Sequence, residues 1–289
     1  MKRFVWLLNL GSEDELAGRA TQSRAARARS ESEEVVSTLR PLLADTGEVL
    51  DPKKRYEGWR ARAFSPTPNA LDALRKSGAV VPKVPAIDIL RRVNSRRFWA
   101  SSPRAQSLSG SAFVEHEKDA YSLLSRPSIT GVWVAKRAFG FAARGLRRFF
   151  ENITEADRAW IRRAMEEGGL QIEPWVPRIS DHAIHGYITP TGSIVLGTPT
   201  AQVCDAAGRW QSSTPSPLSS EDDRTFRSIA EITAGELWGA GYFGPFGIDA
   251  YRFRHPSGET VWQWQSDVNA RYTMGWALGM GEKRPDLDD

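Results

Sequence analysis

Cysteine is nearly absent: the 289-residue chain has one, Cys204. A single thiol makes no internal disulfide and no CxxC metal site, which excludes stapled scaffolds and points to a reducing compartment, the cytoplasm. Long apolar runs are missing too. Nothing approaches the roughly 18 residues that a membrane-spanning helix needs. The opening MKRFVWLLNLG has too short an apolar stretch, and no small-residue cleavage site, for a secretory leader, so it reads as a first buried strand. The four histidines, His116, His182, His185 and His255, lack zinc-site spacing. GxSxG, HExxH, P-loop and GxGxxG patterns are all absent, which argues against hydrolase, zincin and dinucleotide-binding readings.

What is present is an ordinary soluble composition, 40% hydrophobic and 26% charged, in a chain long enough for one large domain or two to three compact ones. Charge is unevenly spread. Residues 1–150 hold 27 Lys/Arg against 15 Asp/Glu, and residues 151–289 hold 12 against 20. Such asymmetry fits a nucleic-acid face on the basic half, plain solvated surface, or phosphate-binding cations and metal-binding carboxylates that meet in one cleft.

The pattern along the chain predicts a small α/β unit first: a strand at Phe4–Leu10, an Arg-rich segment holding Arg19 to Arg29, a helix over 33–43, a strand at 48–50, a helix ended by Gly78 and a strand at 79–81. Pro82 and Pro85 mark a boundary within 82–95. We expect a small α/β domain over 1–93 and a larger α+β domain over 94–289. The latter should hold a strand at 132–136, a helix over 155–167, strands at 169–175 and through 182–203 with turns at Gly192 and Gly208, a loop over 212–223 and a helix over 223–239.

The last 45 residues carry most of the chemistry. Gly244 to Arg254, the turn HPSGE and Val261 to Tyr272 read as a β-hairpin. By the two-residue strand period, Trp262, Trp264, Ser266, Val268, Ala270 and Tyr272 share one face and Gln263, Gln265, Asp267, Asn269 and Arg271 the other. Asp267 and Asn269, with Asp249 on the neighbouring strand, make an oxygen-only donor set suited to Mg²⁺. A tight two-residue turn at Ser257-Gly258 would put Asp249 opposite Ser266. An odd loop or a bulge puts it opposite Asp267, a register that makes sense chiefly if a cation binds there.

These residues resemble the ATP-grasp superfamily. Asp267-Val-Asn269-Ala-Arg271 is similar to its metal-binding E-x-N-x-R strand, with Asp in place of the usual Glu, and Gly247-Ile-Asp249 is similar to the strand before it. Lys136 in Val132-Trp-Val-Ala-Lys136, followed by Gly140 and Gly145, resembles the phosphate-contacting lysine and the loop over the phosphates. Glu173-Pro-Trp175-Val176 looks like the hinge that carries adenine, with Asp181 where a ribose-binding carboxylate is often found. An earlier phosphate-binding lysine has its nearest counterpart in Arg96 or Arg97.

The resemblance implies an α+β, ATP-grasp fold: two α+β subdomains gripping the nucleotide, preceded by the small N-terminal domain. It implies ATP and Mg²⁺, or Mn²⁺ in its place, held by Asp249, Asp267 and Asn269. Lys136, Arg96, Arg97, Gly140, Gly145, Glu173, Trp175, Val176 and Asp181 would bind the nucleotide, and Arg271 and Lys136 would serve catalysis. The activity it implies is a ligase that activates a carboxylate as an acyl phosphate for an amine or another nucleophile. Its partners would be small-molecule carboxylate and amine substrates rather than a membrane or nucleic acid. Two other readings stand beside it: a catalytically weak ATP-binding module acting through a partner, and a nucleic-acid binder.

Overall fold

A three-stranded parallel sheet begins the chain in the computed structural model, which describes residues 2–19, 33–102, 108–141, 144–205, 210–216 and 218–288. Strands Phe4–Leu7 (β1), Gly47–Val49 (β2) and Arg60–Ala63 (β3) lie in the order β2-β1-β3. Among the described residues, helices Ser12–Leu16 (α1), Glu33–Thr38 (α2) and Arg40–Leu43 (α3) fall between β1 and β2. A parallel sheet needs cover on both faces. Alternation supplies it: Val5 joins a core with Tyr56, Ala61, Ala70 and Leu74, whereas Phe4 and Trp6 join one with Leu39, Leu42, Tyr187, Tyr272 and Trp276. The second of these cores ties the N-terminal sheet to the far end of the chain.

Local rules account for several departures from the sequence pattern. The first strand stops at Leu7, although Leu8 and Leu10 remain buried. The single helix expected over 33–43 is two, and Pro41 near the start of α3 fits a first turn but not a helix interior. Pro68–Lys76 (α4) closes on Gly78 at φ +90° as expected, but residues 79–81 supply only a bridge from Val80 to Arg60. The arginines beyond Arg19 and the turn at Gly208 lie outside the described residues.

Helices Ile87–Asn94 (α5) and Arg96–Ala100 (α6) follow, then Ala112–Val114 (β4), Glu117–Leu124 (α7), Trp133–Phe141 (β5), Arg144–Phe149 (β6), Glu155–Glu166 (α8) and Leu170–Pro174 (β7). The four strands form an antiparallel sheet in the order β4-β7-β5-β6. Helix α8 starts in a capping box, in which the Thr154 hydroxyl accepts from the Asp157 N–H and the Asp157 carboxylate accepts from the Thr154 N–H. Trp133, Ala135, Leu170 and Ile172 face the helices. The strand period therefore sends Lys136, Gln171 and Glu173 to the opposite face.

The remaining strands are Arg178–Ile188 (β8), Ile194–Leu196 (β9), Thr200–Cys204 (β10), Trp210–Pro215 (β11), Gly244–Arg254 (β12) and Thr260–Asn269 (β13), with helices Ser220–Gly239 (α9) and Trp276–Met280 (α10). Their sheet runs β11-β10-β8-β12-β13, with β9 on β8. Part of the loop expected over 212–223 is thus strand β11, and α9 begins at Ser220 on a Ser219 cap whose Oγ accepts from the Asp222 N–H. Ile184, Ile188, Phe246, Ile248, Val268 and Ala270 pack on Phe226, Ala230, Ala234 and Leu237 of α9 and on Leu90 and Val93 of α5. The alternate residues form the other face, where Tyr187 packs with the N-terminal sheet while Asp249 and Asn269 face the four-stranded sheet, the small sheet of the site.

One of those alternate residues is costly. His185 is 1% exposed, its Nδ1 has no hydrogen-bond partner, and Gly247, Gly275 and Gly279 crowd the ring. Burial pushes its pKa down from 6.5 to about 3. The unfolded chain therefore binds the proton more readily, so the stability tied to neutral His185 is complete above pH 6.5 and drains away as pH falls toward 3. By this linkage the wild-type chain should lose about 2 kcal/mol between pH 7 and pH 5 that a His185→Leu variant does not lose. Urea melts at the two pH values measure it, and parallel pH dependence in both chains would refute it.

Candidate active site

The hairpin register sets the site. In the distal part of the hairpin Arg254 faces Thr260 and Tyr251 faces Gln263, across a five-residue turn in which Gly258 takes φ +91°. Continued unbroken, that pairing would put Asp249 opposite Gln265. Instead a bulge adds two residues to β13, and Asp249 faces Asp267, Ile248 faces Val268 and Gly247 faces Asn269. The sequence offers an odd loop or a bulge as the source of this register: the odd loop is present but by itself leads to Gln265, and it is the bulge that brings Asp249 to Asp267. The bulge is satisfied internally: the Ser266 hydroxyl donates to the Asp249 carbonyl, Gln263 donates to the Gln265 carbonyl, and the Thr233 hydroxyl donates to the Gln265 side chain. Trp262 and Trp264 stack with centroids 4.1 Å apart, while Trp276 sits apart in the core beneath the N-terminal sheet.

Asp249 is held by amides. Gln202 Nε2 donates to its Oδ1 at 2.9 Å, crossing over the small Ala183, and Asn269 Nδ2 donates to its Oδ2 at 3.3 Å. Burial first, and then the facing Asp267 charge, push its carboxyl up to about 6. Asp267 has a different partner, Arg96, whose Nη2 donates to Oδ2 at 2.6 Å while Nη1 donates to the Arg137 carbonyl at 2.8 Å. Arg96 opens α6 directly after Asn94 and Ser95. The Asn94 amide grips Ala270, the residue after β13, through both its oxygen and its nitrogen, and the Ser95 hydroxyl accepts from the Arg97 N–H. Two consecutive polar residues thus fix where Arg96 points.

Most of the other predicted residues line the same cleft of about 780 Å³, whereas Glu173 borders a separate small pocket with Gln171 and Gln263. Lys136 Nζ lies 2.5 Å from Glu173 Oε1 on the inner face of the small sheet, with both side chains largely buried. Gly140, Gly145, Trp175 and Val176 line the small-sheet side, and Asp181 and Asn269 the large-sheet side. Trp175 is flanked by the Arg148 guanidinium, 3.7 Å from its ring centroid. Asp181 is paired with Arg178 at 2.8 Å. Arg271 is buried at the end of the cleft, its Nε and Nη2 both donating to Glu13 Oε1 at 2.7 and 2.6 Å.

Arg97 also lies outside the cleft. It is exposed, pairs with Glu115 at 3.1 Å and lines a separate open groove with Arg91, Arg92 and Glu236, because the residue after Arg96 on a helix turns about 100° away. A phosphate role for Arg97 is therefore dropped in favour of Arg96. Residues that sequence reasoning did not find are Gln202, Arg178 and Glu13. Gln202 and Arg178 reach the cleft through strand pairing and Glu13 through α1, none of which leaves a local spacing signal.

Among the described residues no three His, Cys, Asp or Glu side chains cluster at metal-ligand spacing, so a cation here would rest on two carboxylates, an amide and oxygens of the ligand. No described helix is long and apolar enough to cross a membrane. No family model and no curated protein matches the sequence. Solved structures do. D-cycloserine synthetase DcsG matches with a TM-score of 0.56 at 12% identity, over 97% of this chain and 95% of that one. D-alanyl-alanine synthetase A from Vibrio cholerae matches with 0.55 at 13%, over 96% and 91%. The ADP complex of N5-carboxyaminoimidazole ribonucleotide synthetase matches with 0.51 at 14%, over 94% and 71%. The two facing sheets, the bulged hairpin and these likenesses across nearly the whole chain agree: the protein has the ATP-grasp fold.

Proposed function

We propose that this chain is an ATP- and Mg²⁺-dependent ligase that activates a carboxylate as an acyl phosphate for attack by an amine or another nucleophile. The observation that carries the reading is the bulge-set pairing of Asp249 with Asp267 in a cleft that also holds Lys136 and Arg96. Two carboxylates facing each other repel; burial first and this repulsion second push Asp249 up, and a shared cation would relieve the repulsion. The donor set fits Mg²⁺, or Mn²⁺ in its place: Asp249, Asp267 and the Asn269 amide oxygen would hold it, and when bound it would offset charge on the β and γ phosphates.

The chain's own residues then divide the work. Trp175's N–H donates to Val132 and its carbonyl accepts from Thr130, and Pro174 has no N–H, so the Val176 N–H is the backbone donor left to read a base edge. Asp181 is placed to accept from ribose hydroxyls. Lys136 and Arg96 exchange their carboxylate partners for phosphate oxygens, and Arg271 steadies the transferred phosphoryl group. In the first step a substrate carboxylate oxygen bonds to the γ-phosphorus and ADP leaves. In the second an amine bonds to the acyl carbon, loses a proton and expels phosphate. Neighbours of the same fold that are named synthetases, one of them an ADP complex, support this class, and they do not specify which acid and nucleophile are joined.

A screen for carboxylate-dependent release of ADP and phosphate tests the reaction. ATP binding without release across a broad panel of acids and amines would favour the weak binding module instead. Asp249→Asn is expected to weaken Mg²⁺-dependent ATP binding by about tenfold or more, while the melting temperature holds or rises because a desolvated, repelled charge is gone. Calorimetry with and without Mg²⁺ reads the first effect, and unchanged affinity would remove Asp249 from the site. Lys136→Ala should weaken ATP binding and cost about 3 kcal/mol by stranding Glu173. Adding Glu173→Gln should restore the stability and leave the ATP defect; recovery of both would make the pair purely structural.

A further inference from the structure

Resting on the nucleotide-binding reading above, we propose that Arg96 is the internal counter-ion of Asp267, and that it makes the hairpin accept a divalent cation only together with the nucleotide's phosphates. Among the described ion pairs at the cleft, Lys136 pairs with Glu173, Arg178 with Asp181 and Arg271 with Glu13. Only Arg96 is spent on a carboxylate of the facing pair. The two members of that pair are supported by different means: Asp249 accepts hydrogen bonds from two neutral amides and keeps its charge, and Asp267 is offset by a full positive charge.

The consequence is a matter of charge count. Two ionised carboxylates with a guanidinium on one of them present a single net negative charge, too little to strip water from a dication that prefers several anionic oxygens. A cation on Asp267 Oδ2 would also stand within a few ångströms of the guanidinium in a partly buried site, where repulsion is poorly screened. Arg96 must therefore leave before the cation settles. It has a reason to leave only when phosphate arrives. Its Nε is buried and unpartnered, so the guanidinium has an unmet donor that its present contacts with Asp267 and the Arg137 carbonyl do not use. A phosphate oxygen can take that donor together with Nη2, in the two-point geometry guanidinium favours. Its grip on the Arg137 carbonyl, next to Lys136, keeps it anchored on the small sheet throughout.

Mn²⁺ binding, followed by electron paramagnetic resonance or calorimetry, separates the possibilities in the wild-type chain, Arg96→Gln, Arg96→Lys and the double variant Arg96→Gln with Asp267→Asn. Without nucleotide, Arg96→Gln should bind Mn²⁺ about tenfold or more tightly than wild type, Arg96→Lys should stay near wild type, and the double variant should lose the gain. ATP should tighten Mn²⁺ binding in the wild type far more than in Arg96→Gln. Overturning results are a wild type that binds Mn²⁺ equally well with and without ATP, or an Arg96→Gln chain, folded by its melting curve, with no gain in Mn²⁺ affinity. A wild type that binds no ATP at all would instead sink the nucleotide reading, while the Mn²⁺-only comparison still decides the Arg96–Asp267 relation.

Discussion

Two like charges brought face to face organise this molecule. Asp249 and Asp267 meet because two extra residues in β13 shift the hairpin by one full pleat repeat, and the bulge is held by hydrogen bonds from Ser266, Gln263 and Thr233 rather than left open. Repulsion between them is then distributed to neighbours of quite different kinds. Gln202 and Asn269 support one carboxylate with neutral donors, and Arg96 supports the other with charge. The bulge, the amide clamp of Asn94 on Ala270 and the placement of α6 make mechanical sense only as parts of holding this pair in register.

The cations of the cleft follow a common logic. Each is a long flexible side chain in a partly dry wall, and each is given an internal carboxylate: Glu173, Asp181, Asp267 or Glu13. Such pairs add little net stability, since desolvating both partners consumes most of the attraction. Their value lies in pre-orientation. On the proposed reading, an anionic ligand would meet donors already fixed in place, the cost of ordering them having been met during folding.

Much of this was legible from residue order because strand periodicity is a strict rule. The polar positions at the end of the hairpin could be read as Asp267, Asn269 and Arg271 before any contact was known, and the same alternation in β5 and β7 puts Lys136 and Glu173 on one face in the structure. What could not be read was which helix turn reaches which strand. Arg96 and Arg97 are chemically equivalent in the sequence, and only the angular step between neighbours on a helix, fixed by the Ser95 cap, separates an inward guanidinium from an exposed one. Gln202 and Glu13 were invisible for a similar reason. Each acts across 47 and 258 residues of chain respectively, so no local pattern marks them. Helix 33–43 divided, and β11 replaced part of a loop, where proline placement and sheet pairing overrode composition.

The bond between Glu13 and Arg271 joins α1, near the beginning of the chain, to a residue two positions beyond β13, and both side chains are 8% exposed. Neither can be removed from the other without marooning an ion in a dry interior. Modular exchange is therefore constrained at this joint. Any chimera that grafts a foreign N-terminal unit onto this hairpin must bring an acidic side chain to the same helical turn, or replace the guanidinium as well.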